Sequence, residues 1–227
     1  MIVLSRYGQR EWLALTLLLA PLAIASAWLA VFFHPGWWAA FALFALVWFA
    51  GAMFFRDPLG RRPASSDPRD MVSPADGVVS AVLALDHHDA VGGPALLVRI
   101  FLSVLDVHIN RSPCNGTVER LEHKPGRYLD ARSEESAKIN EAMLMVLRAP
   151  WGAPIGVRQV SGAIARRIVC PVRIGESLER GARYGMIKFG STTELIVPAR
   201  STDGRAAEAL VAKGSRVVGG VTIIARV

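Results

Sequence analysis

The sequence predicts a mainly β protein: a compact, sandwich- or barrel-like domain of short strands, preceded by an N-terminal α-helical transmembrane hairpin. Three observations carry this expectation. Two long uncharged apolar runs open the chain, a stretch rich in Arg, Asp, Pro, Gly and Ser follows, and the remainder alternates short apolar segments with glycine turns.

The hairpin comes first. Of the 227 residues, 52% are hydrophobic, high for a purely soluble protein, and the excess lies at the start. Trp12 to Phe33 carries no charge, His34-Pro35-Gly36 interrupts, and Trp37 to Phe55 is again uncharged. Each run has the ~20 residues a helix needs to cross a bilayer core. A cleaved signal peptide is disfavoured, because the second run follows within three residues and no polar, small-residue cleavage site lies between them. A buried soluble hairpin would show a polar stripe, and none is visible. Arg6 and Arg10 precede the hairpin and Arg56, Arg61, Arg62 and Arg69 follow it, so the positive-inside rule places both flanks in the cytoplasm. The expected division is a membrane anchor over 1–55, a linker over 56–70 and a β-rich catalytic domain over 71–227.

Within the domain, Val78 to Leu83 follows the Asp76-Gly77 turn, and Ala95 to Leu102 is an apolar run holding one Arg. Gly116 to Leu121 alternates, Ala142 to Leu147 and Ile155 to Val160 flank a Pro/Gly turn, and Arg167 to Val172 is β-branched. Tyr184 to Phe189, Leu195 to Val197, Leu210 to Ala212 and Val221 to Ala225 complete the set, with glycine turns between them. Ser133 to Met143 is expected to hold a helical turn.

The net charge of +7 and a pI near 10.1 suit anionic lipid headgroups better than nucleic acid, since no interleaved basic-aromatic motif occurs. Cys114 and Cys170 lack metal-ligand spacing, so neither a zinc site nor, in a reducing compartment, a disulfide is expected.

Chemistry concentrates in a few stretches. Met186 to Phe189 is strand-like and ends on Gly190-Ser191; glycine there permits a close or strained backbone, and the serine hydroxyl sits within reach of the preceding carbonyl. Taken alone, Gly-Ser is an ordinary turn. Asp76 opens a strand in Ser73-Pro74-Ala75-Asp76-Gly77, where an Asp-Gly turn explains it equally well. In the stretch from Phe101 to Pro113, His108 titrates near neutrality and Arg111 offers a fixed fork for a carboxylate or phosphate. His123-Lys124 and Arg166-Arg167 are further anion contacts that surface solvation also explains.

In this order the pieces resemble the phosphatidylserine decarboxylases, in particular their short bacterial and archaeal branch. The resemblance spans nearly the whole chain and rests on Phe54-Phe55-Arg56-Asp57-Pro58, Ser73 to Gly77, Val107 to Pro113, Ile164 to Cys170 and Gly185 to Ser191. It implies a proenzyme that cleaves itself between Gly190 and Ser191 into a β chain, 1–190, and an α chain, 191–227. Ser191 then becomes a covalent pyruvoyl group that forms a Schiff base with phosphatidylserine and serves as electron sink while carbon dioxide leaves, giving phosphatidylethanolamine for phospholipid biosynthesis. His108 is assigned as proton donor and Asp76 as support for self-cleavage, with Arg111, His123, Lys124 and Arg166 as substrate contacts and no metal. The implied setting is the inner face of the cell membrane, with no nucleic-acid partner and a homodimer left open. One departure stands out. Longer members carry a second histidine where this chain has Arg111, leaving the self-cleavage base open between His108 and Asp76.

Two other readings remain at this stage. A serine hydrolase using Ser191 with Lys188 or His108 lacks the Gly-x-Ser-x-Gly elbow, since Thr193 replaces the last glycine. A membrane-anchored β module without catalysis would be indifferent to Ser191.

Overall fold

The structure is a computed structural model that describes residues 2–163, 167–188 and 191–227. The chain forms two compact units, Met1–Leu59 and Gly60–Val227.

In the first unit, strand β1 (Ile2–Leu4) leads through a 3-10 turn into helix α1 (Gln9–Phe32), helix α2 (Trp37–Phe54) returns, and β2 (Arg56–Pro58) pairs antiparallel with β1. At 1.5 Å per residue the helices are about 36 Å and 27 Å long, enough to cross a bilayer core. Close approach depends on a small residue at one crossing point: a side chain on Gly51 would lie 2.4 Å from Leu15 Cδ2. The hairpin is pinned by Trp48 Nε1, which donates to Thr16 Oγ1 at 3.0 Å, and by the Trp12 ring, tilted at 45° with its centroid 4.7 Å from that of Trp48. Leu17, Ile24 and Phe32 stay about two-thirds exposed, a surface water would penalise and lipid would not.

In the second unit the strands are β3 (Asp70–Val72), β4 (Gly77–His88), β5 (Gly93–Leu102), β6 (Ile109–Arg111) and β7 (Gly116–Lys124), then helix α3 (Ser136–Ile139). They continue with β8 (Ala142–Arg148), β9 (Pro154–Val160), β10 (Ile168–Val169), β11 (Ser177–Leu178), β12 (Arg183–Ile187), β13 (Ser191–Pro198), β14 (Glu208–Ala209), β15 (Arg216–Val217) and β16 (Ile223–Arg226). The fold is mainly β, as the sequence predicts. Eight strands in the order β11-β7-β8-β9-β13-β5-β4-β15 form one sheet that curls into a half-barrel. Two three-stranded sheets, β10-β12-β6 and β14-β16-β3, accompany it.

Alternation sorts the side chains of the large sheet. Ile100, Leu102, Met145, Leu147, Val157 and Leu195 line the main core, joined by Met71 and Tyr184. The opposite face carries a smaller cluster that includes Leu97, Leu144, Val146 and Ile196. One row of partners, Arg216, Val78, Phe101, Thr192, Val160, Ala142 and Lys124, crosses seven strands without a slip.

Some elements depart from expectation for local reasons. The strand expected from Arg167 to Val172 is reduced to Ile168–Val169, opposite Ile187 and Met186, because Pro171 has no N–H to extend the ladder. The helical turn expected between Ser133 and Met143 is only Ser136–Ile139, since Ala142 and Met143 already pair with Lys124 and His123.

Candidate functional site

The site lies where the chain changes sheets. Strand β12 belongs to the small sheet with β6 and β10, whereas β13 runs through the middle of the large sheet between β9 and β5. The few residues from Ile187 to Ser191 therefore join two separately hydrogen-bonded strands. Phe189 and Gly190 fall outside the described residues, as does Arg166. On the near side, Ile187 N donates to His108 O at 3.3 Å and Lys188 N to Arg167 O at 3.2 Å. On the far side, Ser191 pairs with Leu102 and is fully buried. Its Oγ has no hydrogen-bond partner among the described residues, and neither has Thr192 Oγ1. Burying a hydroxyl without a partner costs about 1–3 kcal/mol, so such a group in a native core calls for a functional reason.

His108 is fully buried, and its Nδ1 lies 2.9 Å from the backbone carbonyl of Asp106. A carbonyl only accepts, so Nδ1 carries the proton and Nε2 is the nitrogen that gains or loses one. Two residues on, Asn110 Nδ2 donates to Thr193 Oγ1 at 3.0 Å, and Gln159 Nε2 donates to Asn110 Oδ1 at 2.7 Å. This buried amide network ties the His108 segment to the strand that Ser191 begins. Thr193 and Ser191, two apart on β13, face the same side. Gly185 lets the network close: a side chain there would meet Val169 O at 2.2 Å and Gln159 Nε2 at 3.1 Å.

Asp76 is nearly buried and held by Arg61, whose Nη1 and Nη2 donate to its two oxygens at 2.6 and 3.0 Å. A further bond from Arg61 Nη1 to Gly219 O, 2.9 Å, fixes the guanidinium. Burial pushes the Asp76 carboxyl above the usual range, the Arg61 guanidinium opposes that, and the nearby Asp106 adds to it. Gly77 follows at φ +150, where a side chain would lie 2.1 Å from Phe101 O. Phe101 pairs with Thr192, so the approach of β4 to β5 that only glycine allows brings Asp76 within two strands of Ser191.

The other expected residues are placed differently. Arg111 is buried, donates from Nη1 to Gly181 O at 3.1 Å and packs its Cδ against Gly220. His123 contacts Glu141 at 2.9 Å and Lys124 Nζ donates to Lys138 O at 3.2 Å, both near the surface. They share cross-strand rows with Thr193 and Thr192 but stand three strands away, about 14 Å at the usual strand spacing. Sequence reasoning missed Arg61, Asn110, Gln159, Thr193 and Asp106.

The two thiols, Cys114 buried and Cys170 half-buried, are poor nucleophiles, since loss of solvent pushes Cys114 up to about 12 and Cys170 up to about 11. Among the described residues no group of three or more His, Cys, Asp and Glu could hold a metal ion. What the seam offers is a buried hydroxyl at a strand start, a buried imidazole of fixed tautomer and a carboxylate of raised pKa.

Comparison with known proteins adds an independent finding. The family model described as phosphatidylserine decarboxylase matches residues 50–225. The phosphatidylserine decarboxylase proenzyme of Symbiobacterium thermophilum is 44% identical over 203 residues, 89% of this chain and 89% of that protein. That of Carboxydothermus hydrogenoformans is 38% identical over 226 residues, covering 100% and 97%. The Rhodopirellula baltica proenzyme is 39% identical over 223 residues, covering 97% and 87%.

Proposed function

The chain belongs to the phosphatidylserine decarboxylase family, and from that premise we propose that it is a self-cleaving, pyruvoyl-dependent enzyme that converts phosphatidylserine to phosphatidylethanolamine and carbon dioxide. The observation that carries the reading is Ser191: a buried hydroxyl, without a partner among the described residues, at the first residue of a central strand where the chain passes between sheets.

Self-cleavage is the chemistry of the chain itself. Ser191 Oγ attacks the Gly190 carbonyl, the C–N bond breaks, and an ester replaces the amide while Ser191 N becomes a free amine. A base then takes the Ser191 α-proton, and the Gly190 carboxylate leaves from Cβ. The resulting dehydroalanine tautomerises and is hydrolysed, water supplying the ketone oxygen and ammonia departing. Asp76, ionised against Arg61, and His108 through Nε2 are the two bases of the seam for these proton transfers.

The residues present suit the product. The buried Ser191 position has small polar neighbours in Thr192 and Thr193, and the Asn110–Gln159 amides fix the surrounding backbone. A pyruvoyl group there supplies an electrophilic ketone that condenses with the substrate amine and takes up the electron pair released with carbon dioxide. His108 returns a proton to the carbon that lost the carboxylate. Arg111, His123, Lys124 and Arg166 are proposed to contribute to headgroup and surface binding. The anchor over 1–55 and linker over 56–70 tether the catalytic domain to the cytoplasmic face of the cell membrane, where its lipid substrate resides. A homodimer is compatible with this arrangement.

Denaturing mass spectrometry tests the reading. Two fragments are expected, the smaller starting at position 191, blocked to Edman degradation and lighter than a Ser-initiated peptide by one ammonia. Ser191→Ala should give a single chain and no carbon dioxide. An intact wild-type chain that still releases carbon dioxide would sink it.

A further inference from the structure

The residues between Leu102, the partner of Ser191, and His108 form a tight turn with an unusual surface. Asp106 N donates to Ser103 O at 2.9 Å, and Ser103 N donates back to Asp106 Oδ2 at 2.9 Å, closing the turn at both ends. At its tip Val104 is 49% exposed and Leu105 83% exposed. The Asp106 carboxylate is turned inward, where its Oδ1 accepts from Arg216 Nη2 at 2.6 Å, so the tip presents no acid to the outside. Arg216 itself is 70% exposed, Val218 on the same side of that segment is 39% exposed, and Lys213 stands exposed just before it.

Resting on the proposed lipid substrate, we infer that the Ser103–Asp106 turn is the point at which the catalytic unit docks onto an anionic bilayer. A protein partner would need a far larger surface, roughly 800 Å² on each side, than a two-residue tip offers. An interfacial anchor needs what is present: aliphatic side chains that enter the headgroup boundary, an acid neutralised by its partner, and the exposed remaining donors of the Arg216 guanidinium to meet lipid phosphates. The double hydrogen bond keeps the tip in one shape, so docking costs little ordering. The position matters as well. The turn joins Leu102, the strand partner of Ser191, directly to His108, whose Nδ1 is held by the carbonyl of Asp106, so a lipid at the tip meets the segment that carries both sides of the site.

The test uses the full chain in vesicles of phosphatidylserine and phosphatidylcholine. In a Cys170→Ala background, an environment-sensitive fluorophore on Leu105→Cys should be quenched by nitroxide-labelled lipids, whereas the same probe on Ile174→Cys, 65% exposed on a different turn, should not. Equal quenching at both positions, or none at 105, overturns the inference. Leu105→Asp should raise the apparent KM for vesicle phosphatidylserine about tenfold, the loss expected when one leucine fails to leave water. It should leave self-cleavage and turnover of dispersed short-chain phosphatidylserine unchanged. A parallel fall on both substrates would make the turn part of the site rather than a docking device, and so overturn it. If the wild type releases no carbon dioxide from either lipid, the proposed function fails, while the quenching comparison still decides the docking.

Discussion

Arg61 clasps Asp76 through both carboxylate oxygens, at 2.6 and 3.0 Å, and its own position is fixed by Gly219 O at 2.9 Å. The pair opposes the burial that pushes the Asp76 carboxyl up. Arg61→Ala removes that opposition, so Asp76 needs a higher pH to ionise. If Asp76 works as a base in self-cleavage, the acidic limb of the cleavage-rate profile, followed by gel densitometry, moves to higher pH, and Arg61→Lys restores part of it. An unmoved profile would exclude Asp76.

His108 donates from Nδ1 to Asp106 O, which leaves Nε2 to exchange protons. His108→Ala should lower kcat for decarboxylation by roughly 10²–10⁴, the usual worth of a positioned acid or base. Fragment analysis of the same variant separates its two proposed roles. Complete cleavage with lost turnover assigns it to reprotonation alone; an uncleaved chain assigns it to self-cleavage, the step that must precede any turnover.

Glu194 is fully buried and bonded to Arg99 at 2.7 Å and Arg158 at 3.1 Å, its partners in register on either side. Alternation puts this triad on the face of β13 opposite to Ser191 and Thr193. Glu194→Gln leaves two guanidiniums facing each other without a carboxylate. The expected cost is about 3 kcal/mol, the low end for a broken buried pair because both arginines keep some solvent contact. Calorimetry should therefore show Tm falling by about 6–12 °C with the cleavage site chemically intact.

Strand existence in the catalytic unit was legible because β-branched and apolar runs such as Val78 to Leu83 and Ala95 to Leu102 are local signals. Ser191, His108 and Asp76 stood at glycine turns or between apolar neighbours, patterns an ordinary turn or core residue explains as well, and it was the family resemblance that singled them out. Their partners were not legible, since pairing across sequence distance leaves no local trace. Arg61 read as one more basic residue beside the membrane, yet it is bonded to Asp76. Arg99 stood alone in an apolar run, a hint of buried charge, whereas Arg158 and Glu194 have polar neighbours, and only the register of β5, β13 and β9 brings the three together. The break at Gly190-Ser191 between Tyr184 to Phe189 and Leu195 to Val197 was visible, but that the two runs belong to different sheets was hidden for the same reason, since sheet membership is decided by distant partners.

The two fragments that the proposed cleavage would give should stay joined, and the joint should be acid-sensitive. The smaller fragment supplies β13 to the middle of the large sheet, and charge ties it to the larger one through Asp70–Arg226 at 2.6 Å and Arg69–Asp203 at 2.8 Å. The Arg226 guanidinium holds the Asp70 carboxyl below its usual range. Asp203 lies at about 2, lowered first by the Ser201 hydroxyl and then by Arg69. A depressed carboxyl pKa contributes stability that is present above the unfolded value and lost as pH falls through the folded one. The window therefore opens near pH 4 and closes near pH 2. Over it, the urea midpoint for fragment separation, read by native mass spectrometry or gel filtration, should fall. Asp70→Asn should weaken the joint at neutral pH by about 1 kcal/mol or less, since Arg226 is half exposed, lowering that midpoint and flattening its acid dependence. A midpoint indifferent both to acid and to Asp70→Asn would mean that strand pairing and the buried ion pairs hold the fragments without these two contacts.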